Sequence, residues 1–152
     1  MITLNLPYPV SANRYWASRV VKPKGRPAMA ITYVTTEANE YKAKVQAIAR
    51  AAGLDKPLAG RIKLELWLFP HRPKDWEARQ RKYGEGWDDG VRCIDLGNCE
   101  KILSDALNGI CFVDDGQHRQ IIKQRMEPDE RGARVIVRIS AMSSSKPQGV
   151  LL

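Results

Sequence analysis

The chain has 152 residues, with 25 Lys and Arg against 17 Asp and Glu and a formal net charge of +8. That length suits one compact domain able to bury a core without disulfides or a structural metal. No apolar run approaches a membrane span, and Met1-Ile2-Thr3-Leu4-Asn5-Leu6-Pro7 lacks the basic-then-apolar order of a signal peptide. The expectation is a cytoplasmic protein with no membrane partner. Its charge points to a polyanion, because each phosphate contact releases counterions and adds salt-dependent affinity.

Residues 2–6 alternate Ile2, Leu4 and Leu6 with Thr3 and Asn5, the pattern of a half-buried strand, ended by Pro7 and Pro9. Residues 17–34 read as a long connection carrying Arg19, Lys22, Lys24 and Arg26 among Pro23, Gly25 and Pro27. A helix is expected from Thr35-Thr36 to Gly53, with Glu37 and Glu40 in its first turn and Ala38, Tyr41, Val45, Ile48 and Ala52 at helical spacing. Residues 61–69 alternate again, with Ile62, Leu64, Leu66 and Leu68 on one face of a strand.

From Pro70 to Gly90 the pattern breaks. Arg72, Lys74, Arg79, Arg81 and Lys82 mix with Trp76, Tyr83 and Trp87. Basic and aromatic side chains together suit backbone contact and base stacking on nucleic acid. A solvated insertion with its tryptophans packed on the domain fits the same residues. A second helix is expected over 98–108, stopped by Gly109. Two strands follow, over 117–127 and 134–140, joined by a turn at 128–132. The first aligns Arg119, Lys123 and Arg125, and the second buries Val135, Val137 and Ile139. The Ser-rich tail after Met142 is expected to be disordered. The order β, α, β, α, β, β predicts an α+β fold: a single compact domain with a small mixed β-sheet and two main helices.

Cys93, Cys99 and Cys111 form no CxxC pair, so reduced and mostly buried thiols are expected rather than zinc. His71 and His118 lack a nucleophile motif beside them. His118, next to the acids, can tune them or simply lie on a strand surface.

The acids are concentrated. Asp95-Leu96-Gly97-Asn98-Cys99-Glu100-Lys101 leads to Asp105 and then to Val113-Asp114-Asp115. Crowded carboxylates repel and raise one another's pKa, so a fold that gathers them calls for a cation. The plain alternative is that Asp95 caps a helix and Asp114-Asp115 marks a turn. At helical spacing Asn98, Lys101, Asp105 and Asn108 share one face, and Cys99, Ile102, Leu103, Ala106, Leu107 and Ile110 form the apolar one. On that wheel Asp95, Lys101 and Asp105 look toward one pocket and Glu100 toward solvent. Lys101 can equally form an i,i+4 ion pair with Asp105.

Asp95-Leu96-x-Asn98-x-x-Lys101, Ser104-Asp105-Ala106-Leu107-Asn108-Gly109 and Asp114-Asp115-x-Gln117 together resemble the signature of RusA-type Holliday junction resolvases. Pro7-Tyr8-Pro9-Val10-Ser11-Ala12-Asn13-Arg14-Tyr15 is similar to that family's N-terminal motif. The resemblance covers residues 1–140, with a basic insertion at about 70–93, and leaves 141–152 as a tail. It implies a homodimeric, Mg2+-dependent endonuclease that nicks four-way DNA junctions symmetrically. Asp95 and Asp115 match its metal-binding aspartates and Lys101 its catalytic lysine, with Asp114 as a neighbouring acid able to share the metal. Mg2+ is the implied cofactor and Mn2+ a possible one. DNA contacts are expected from Asn13, Arg14 and Tyr15, from Arg79, Arg81 and Lys82, and from Arg119 and Lys123.

One departure stands out. Gly97 occupies the place where the family pattern has a second aspartate. Asp105, Asp114, Asp88 or Asp89 could replace that acid, or glycine could serve a positive φ. Two other functions follow from the same residues: a junction-binding protein with attenuated cleavage, or a metal-dependent nuclease for broader branched or flap DNA.

Overall fold

The computed structural model describes residues 1–143. Strands β1 (Ile2–Pro7), β4 (Ile62–Phe69), β5 (His118–Arg125) and β6 (Arg134–Ala141) form one mixed sheet in the order β1-β6-β4-β5. β6 runs antiparallel to both β1 and β4, while β4 and β5 are parallel. The remaining strands, β2 (Trp16–Val21) and β3 (Met29–Val34), pair with each other as a separate hairpin. The helices are α1 (Ala12–Tyr15), α2 (Thr36–Ala51), α3 (Trp76–Tyr83) and α4 (Leu96–Leu107). The α+β class and the single domain are as the sequence predicts.

Parallel neighbours need a crossover rather than a tight turn. Between β4 and β5 that crossover carries α4, which therefore packs on the sheet. α2 and α4 bury Tyr41, Val45, Ile102, Leu103 and Leu107 against Leu4 and Leu6 of β1, the even positions of β4, and Val135, Val137 and Ile139 of β6. Thr35 starts α2 by accepting the Ala38 N–H at 3.1 Å, and its own hydroxyl donates to the Arg14 carbonyl at 2.6 Å. One residue thus caps α2 and ties down α1. Ile48 packs at the edge of the core, whereas Ala52 is exposed beyond the helix end.

Four expectations need correction. Residues 17–34 form the β2–β3 hairpin rather than an irregular connection. Arg, Lys, Pro and Gly crowd its tip and mask the short apolar runs Val20-Val21 and Met29-Ala30-Ile31. Within 70–90 lies α3, which buries no residue. The acidic helix begins at Leu96, with Asp95 as its cap, two residues before the expected start. Finally, β5 and β6 are not neighbours, because β4 lies between them. β5 is almost wholly exposed, Ile121 and Ile122 included, which suits a strand at the sheet edge. β6 has an apolar face and takes the centre. β6 extends through Ala141, and the tail expected beyond it lies, from residue 144, outside the described residues.

The β5–β6 connection is held by Arg134, only 8% exposed. Its guanidinium grips Asp129 through both oxygens at 2.7 and 2.8 Å, donates to the Gly132 carbonyl at 2.9 Å and lies 3.9 Å from the Phe69 ring centroid. The hydrogen bonds from Arg134 hold the Asp129 carboxyl below its ordinary value. A depressed carboxylate contributes stability above its unfolded pKa and loses that contribution as pH falls through the folded value. Asp129→Asn should therefore cost about 1–3 kcal/mol at neutral pH. The gap to the parent, read by urea denaturation, should close as the pH drops below the usual carboxylate range.

Candidate active site

α4 carries the acidic motif. Asp95 caps it, with Oδ1 accepting the Asn98 N–H at 2.8 Å and Oδ2 accepting the Asn98 side-chain amide at 2.7 Å. Behind the cap, Cys99, Ile102, Leu103, Ala106 and Leu107 are buried, which fixes the rotation of the helix. Its outer face forms the floor of a groove of about 690 Å3 shared with Trp16, Asp115 and His118. A second groove, of about 870 Å3, lies on the other side of the helix start, with Asp95, Asn98, Arg14 and Arg79 in its wall. Asp95 lines the second groove and Gly97, Lys101 and Asp105 the first, so the one pocket expected to hold Asp95 with Lys101 and Asp105 is divided in two; a Cβ on Gly97 would stand 3.3 Å from Asp95 Oδ1.

The turn before β5 presents Asp115. Gln117 accepts the N–H groups of Val113 and Asp114 at 2.7 and 3.0 Å, and its amide donates to the Leu58 and Gly60 carbonyls at 2.8 Å each. Asp114 is engaged in the turn, accepting the Gly116 N–H at 2.6 Å. Among the described residues the exposed Asp115 carboxylate has no hydrogen bond or ion pair, so it is the acid free to meet a ligand. The turn alternative thus fits Asp114, the helix-cap alternative fits Asp95, and Asp115 is neither.

Lys101 does not pair with Asp105. Its ammonium lies 5.2 Å from the Trp16 ring centroid, which positions the charge without neutralising it. Asp105 instead takes a short hydrogen bond from the Tyr15 hydroxyl and an ion pair from Lys42 at 3.3 Å. Tyr15 is fully buried, so it cannot offer a ring to a base, contrary to the contact expected of it. Burial and the Asp105 carboxylate both push its hydroxyl pKa upward. Tyr8 works similarly: its hydroxyl accepts the Ile94 N–H at 2.7 Å, one residue before Asp95, and burial pushes its pKa up to about 12. The N-terminal motif therefore positions both ends of α4.

Glu100 also departs from expectation. It lines the groove with Gly97, Lys101 and Asp115 and pairs with Lys123 rather than facing solvent. His118 is half-buried against Phe112, with ring centroids 4.6 Å apart. Burial lowers its pKa, opposed by Asp115, Glu100 and Asp114, so all three acids lie within electrostatic reach of one ring. Its Nε2 is buried with no hydrogen-bond partner among the described residues.

Of the DNA-contact candidates, Asn13, Arg81, Lys82 and Arg119 are exposed. Arg14 is exposed but paired with Glu37 at 3.1 Å, and Arg79 is paired with Asp75 at 2.9 Å. Lys123 is held by Glu100. Arg125 donates to the carbonyls of Asp88 and Val91 at 2.9 Å and anchors the insertion. Trp87 is buried, whereas Tyr83 is 58% exposed beneath Lys82, so the insertion divides between packing and solvent. Sequence reading did not assign Trp16 or Lys42 to the site. The placement of Trp16 directly after the N-terminal motif was its one available signal.

A metal would meet hard donors here. Among the described residues no three His, Cys, Asp or Glu side chains stand close enough to hold an ion by themselves. Burial pushes the Cys99 thiol up to about 12, which keeps this soft donor protonated. The groove is lined by the carboxylates of Glu100, Asp105 and Asp115, hard oxygen donors suited to a divalent cation whose shell water and phosphate complete, with His118 beside them.

The family described as Endodeoxyribonuclease RusA matches residues 7–140, and the chain belongs to that family. No curated protein matches it. The chain is thus a nuclease by family, and none of its described helices is long and apolar enough to cross a membrane.

Tyr15→Phe should lower stability by about 1–3 kcal/mol, because a buried hydroxyl-to-carboxylate bond is lost. Thermal melts of this variant and of Asp105→Asn should show less than additive losses in the double variant, since the two residues share one interaction.

Proposed function

We propose that this RusA family member is a Mg2+-dependent endonuclease that resolves four-way DNA junctions by symmetric nicking, acting as a homodimer in the cytoplasm. The observation that carries the reading is the pairing of a free carboxylate, Asp115, with an un-neutralised ammonium, Lys101, in one groove. Asp95 and Asp115 would hold the ion, and Asp114 shapes the turn between Phe112 and His118. One or two protein carboxylates suffice for Mg2+ when water and substrate phosphate complete its shell. The ion, when bound, polarises the scissile phosphate and lowers the pKa of the attacking water.

Water attacks phosphorus and the bond to the 3′ oxygen breaks, leaving a 5′ phosphate and a 3′ hydroxyl. Lys101 stabilises the additional negative charge on the pentacoordinate phosphorus. Trp16 keeps that ammonium in the groove, and Tyr15 with Lys42 keeps Asp105 from neutralising it. DNA arms follow the exposed cations Arg19, Lys22, Lys24 and Arg26 of the hairpin and Arg81 and Lys82 of α3. Two copies related by a two-fold axis would set two such grooves against a two-fold junction, which couples isologous assembly to paired nicking.

The second reading is a junction-binding protein with attenuated cleavage. Gly97 and the lack of a three-carboxylate group among the described residues favour it. Labelled junction, flap and linear duplex incubated with Mg2+ separate the readings: symmetric junction nicks support resolution, equal cutting of flaps supports a broader nuclease, and binding alone supports attenuation.

Asp95→Asn should abolish cleavage while junction binding stays equal or tightens. Asparagine caps helices as well as aspartate does, so the melting temperature should hold, but its amide is a far poorer Mg2+ ligand. Binding lost together with cleavage would reduce Asp95 to a cap. Replacing Arg79, Arg81 and Lys82 together by Ala should lower the slope of log affinity against log salt by up to about one unit per lost phosphate contact. An unchanged slope would assign α3 to another surface.

A further inference from the structure

We propose that Glu100 supplies the carboxylate that Gly97 lacks, acting as an additional metal ligand from the next turn of α4; the inference rests on the nuclease reading above. Gly97 has ordinary helical backbone, so the positive-φ explanation for glycine does not apply. It leaves a side-chain gap in the groove wall. Glu100 lies three residues on and lines the same groove as Asp115. Helical side chains lean toward the N-terminus, so a long glutamate at 100 extends back over the turn that contains 97.

Of the other acids weighed for that role, Asp88 and Asp89 do not line this groove, and the remaining two are already engaged. Asp105 is held by Tyr15 and Lys42, and Asp114 by its own turn. Glu100 has a single cationic partner, Lys123, whose side chain is 37% exposed on the edge strand. Such a partly exposed pair is weak, so a divalent cation can displace the ammonium; as the described residues stand no three acids are close enough to share an ion, and Glu100 joins the site only on leaving Lys123. Displacement would also free Lys123 for a DNA phosphate.

The test is Mn2+ titration calorimetry on the full chain without DNA, with melting temperatures as a folding control. Glu100→Gln, which is isosteric, should weaken Mn2+ binding about tenfold or more through the lost ligand charge. Lys123→Met should tighten it, because the competing cation is gone while the carboxylate remains. Adding Gly97→Asp to Glu100→Gln should restore affinity, since a Cβ at 97, 3.3 Å from Asp95 Oδ1, sets the new carboxylate beside Asp95. Parent-like affinity in Glu100→Gln overturns the inference. Should Glu100→Gln fail to fold, unchanged affinity in Lys123→Met overturns it instead. Asp115→Asn separates the two levels: if it abolishes binding while Glu100→Gln does not, Glu100 fails and the nuclease reading stands. If neither variant changes Mn2+ affinity, or the parent binds none, the metal reading fails with it.

Discussion

The rotation of α4 about its own axis is the constraint on which the site depends. Ile102, Leu103 and Leu107 are fully buried, and each is worth roughly 1.5–3 kcal/mol relative to exposure. The ion pairs and cation–π contact on the opposite face contribute about 1 kcal/mol or less apiece. The apolar face therefore sets the rotation, and the groove receives whatever residues stand opposite. Those are Gly97, Ser104 and Asn108 along the middle, with Glu100 on one flank and Lys101 and Asp105 on the other.

The short motifs around the helix serve mainly to hold it. Tyr8 fixes the backbone ahead of Asp95, Tyr15 binds Asp105 near the other end, and Gln117 ties the Asp115 turn to the loop before β4. Each contact is a polar side chain with a buried or half-buried body, so removing one leaves an unsatisfied partner as well as a lost bond. Strings that resemble a catalytic signature thus contain more positioning residues than reacting ones. Asp115 and Lys101 reach the groove without neutralising partners because other residues engage the acids and cations nearby.

Much of this was legible in the sequence. The apolar periodicity of α2, β4 and α4 is strong, and local pattern coincides with tertiary burial there. The β2–β3 hairpin escaped because Lys22-Pro23-Lys24-Gly25-Arg26-Pro27 looks like a linker, and Trp16 and Val34 at its base are its residues packed on the core. The separation of β5 from β6 escaped because a short connection implies pairing, whereas the competition for the sheet centre is decided by total burial. Glu100 was misdirected for a geometric reason. A wheel centred on Lys101 and Asp105 puts it far round, but the groove is centred on the small residues Gly97 and Ser104, about 60° away by helical spacing. Small side chains create concavity, and polarity alone does not reveal them.

Charge layout links the fold to the chemistry. In a chain of net charge +8, three of the acids that line the grooves are matched to a cation: Glu100 to Lys123, Asp105 to Lys42, Glu37 to Arg14. These pairs are partly exposed and weak, so they stabilise little. Their effect is to limit negative potential where a polyanion must approach. Local neutrality at the groove, with cations retained on the hairpin and α3, lets DNA come close before any divalent ion is shared. Asp115, left unmatched, keeps full affinity for that ion. The same paired arrangement that admits the substrate thus leaves one carboxylate ready for chemistry.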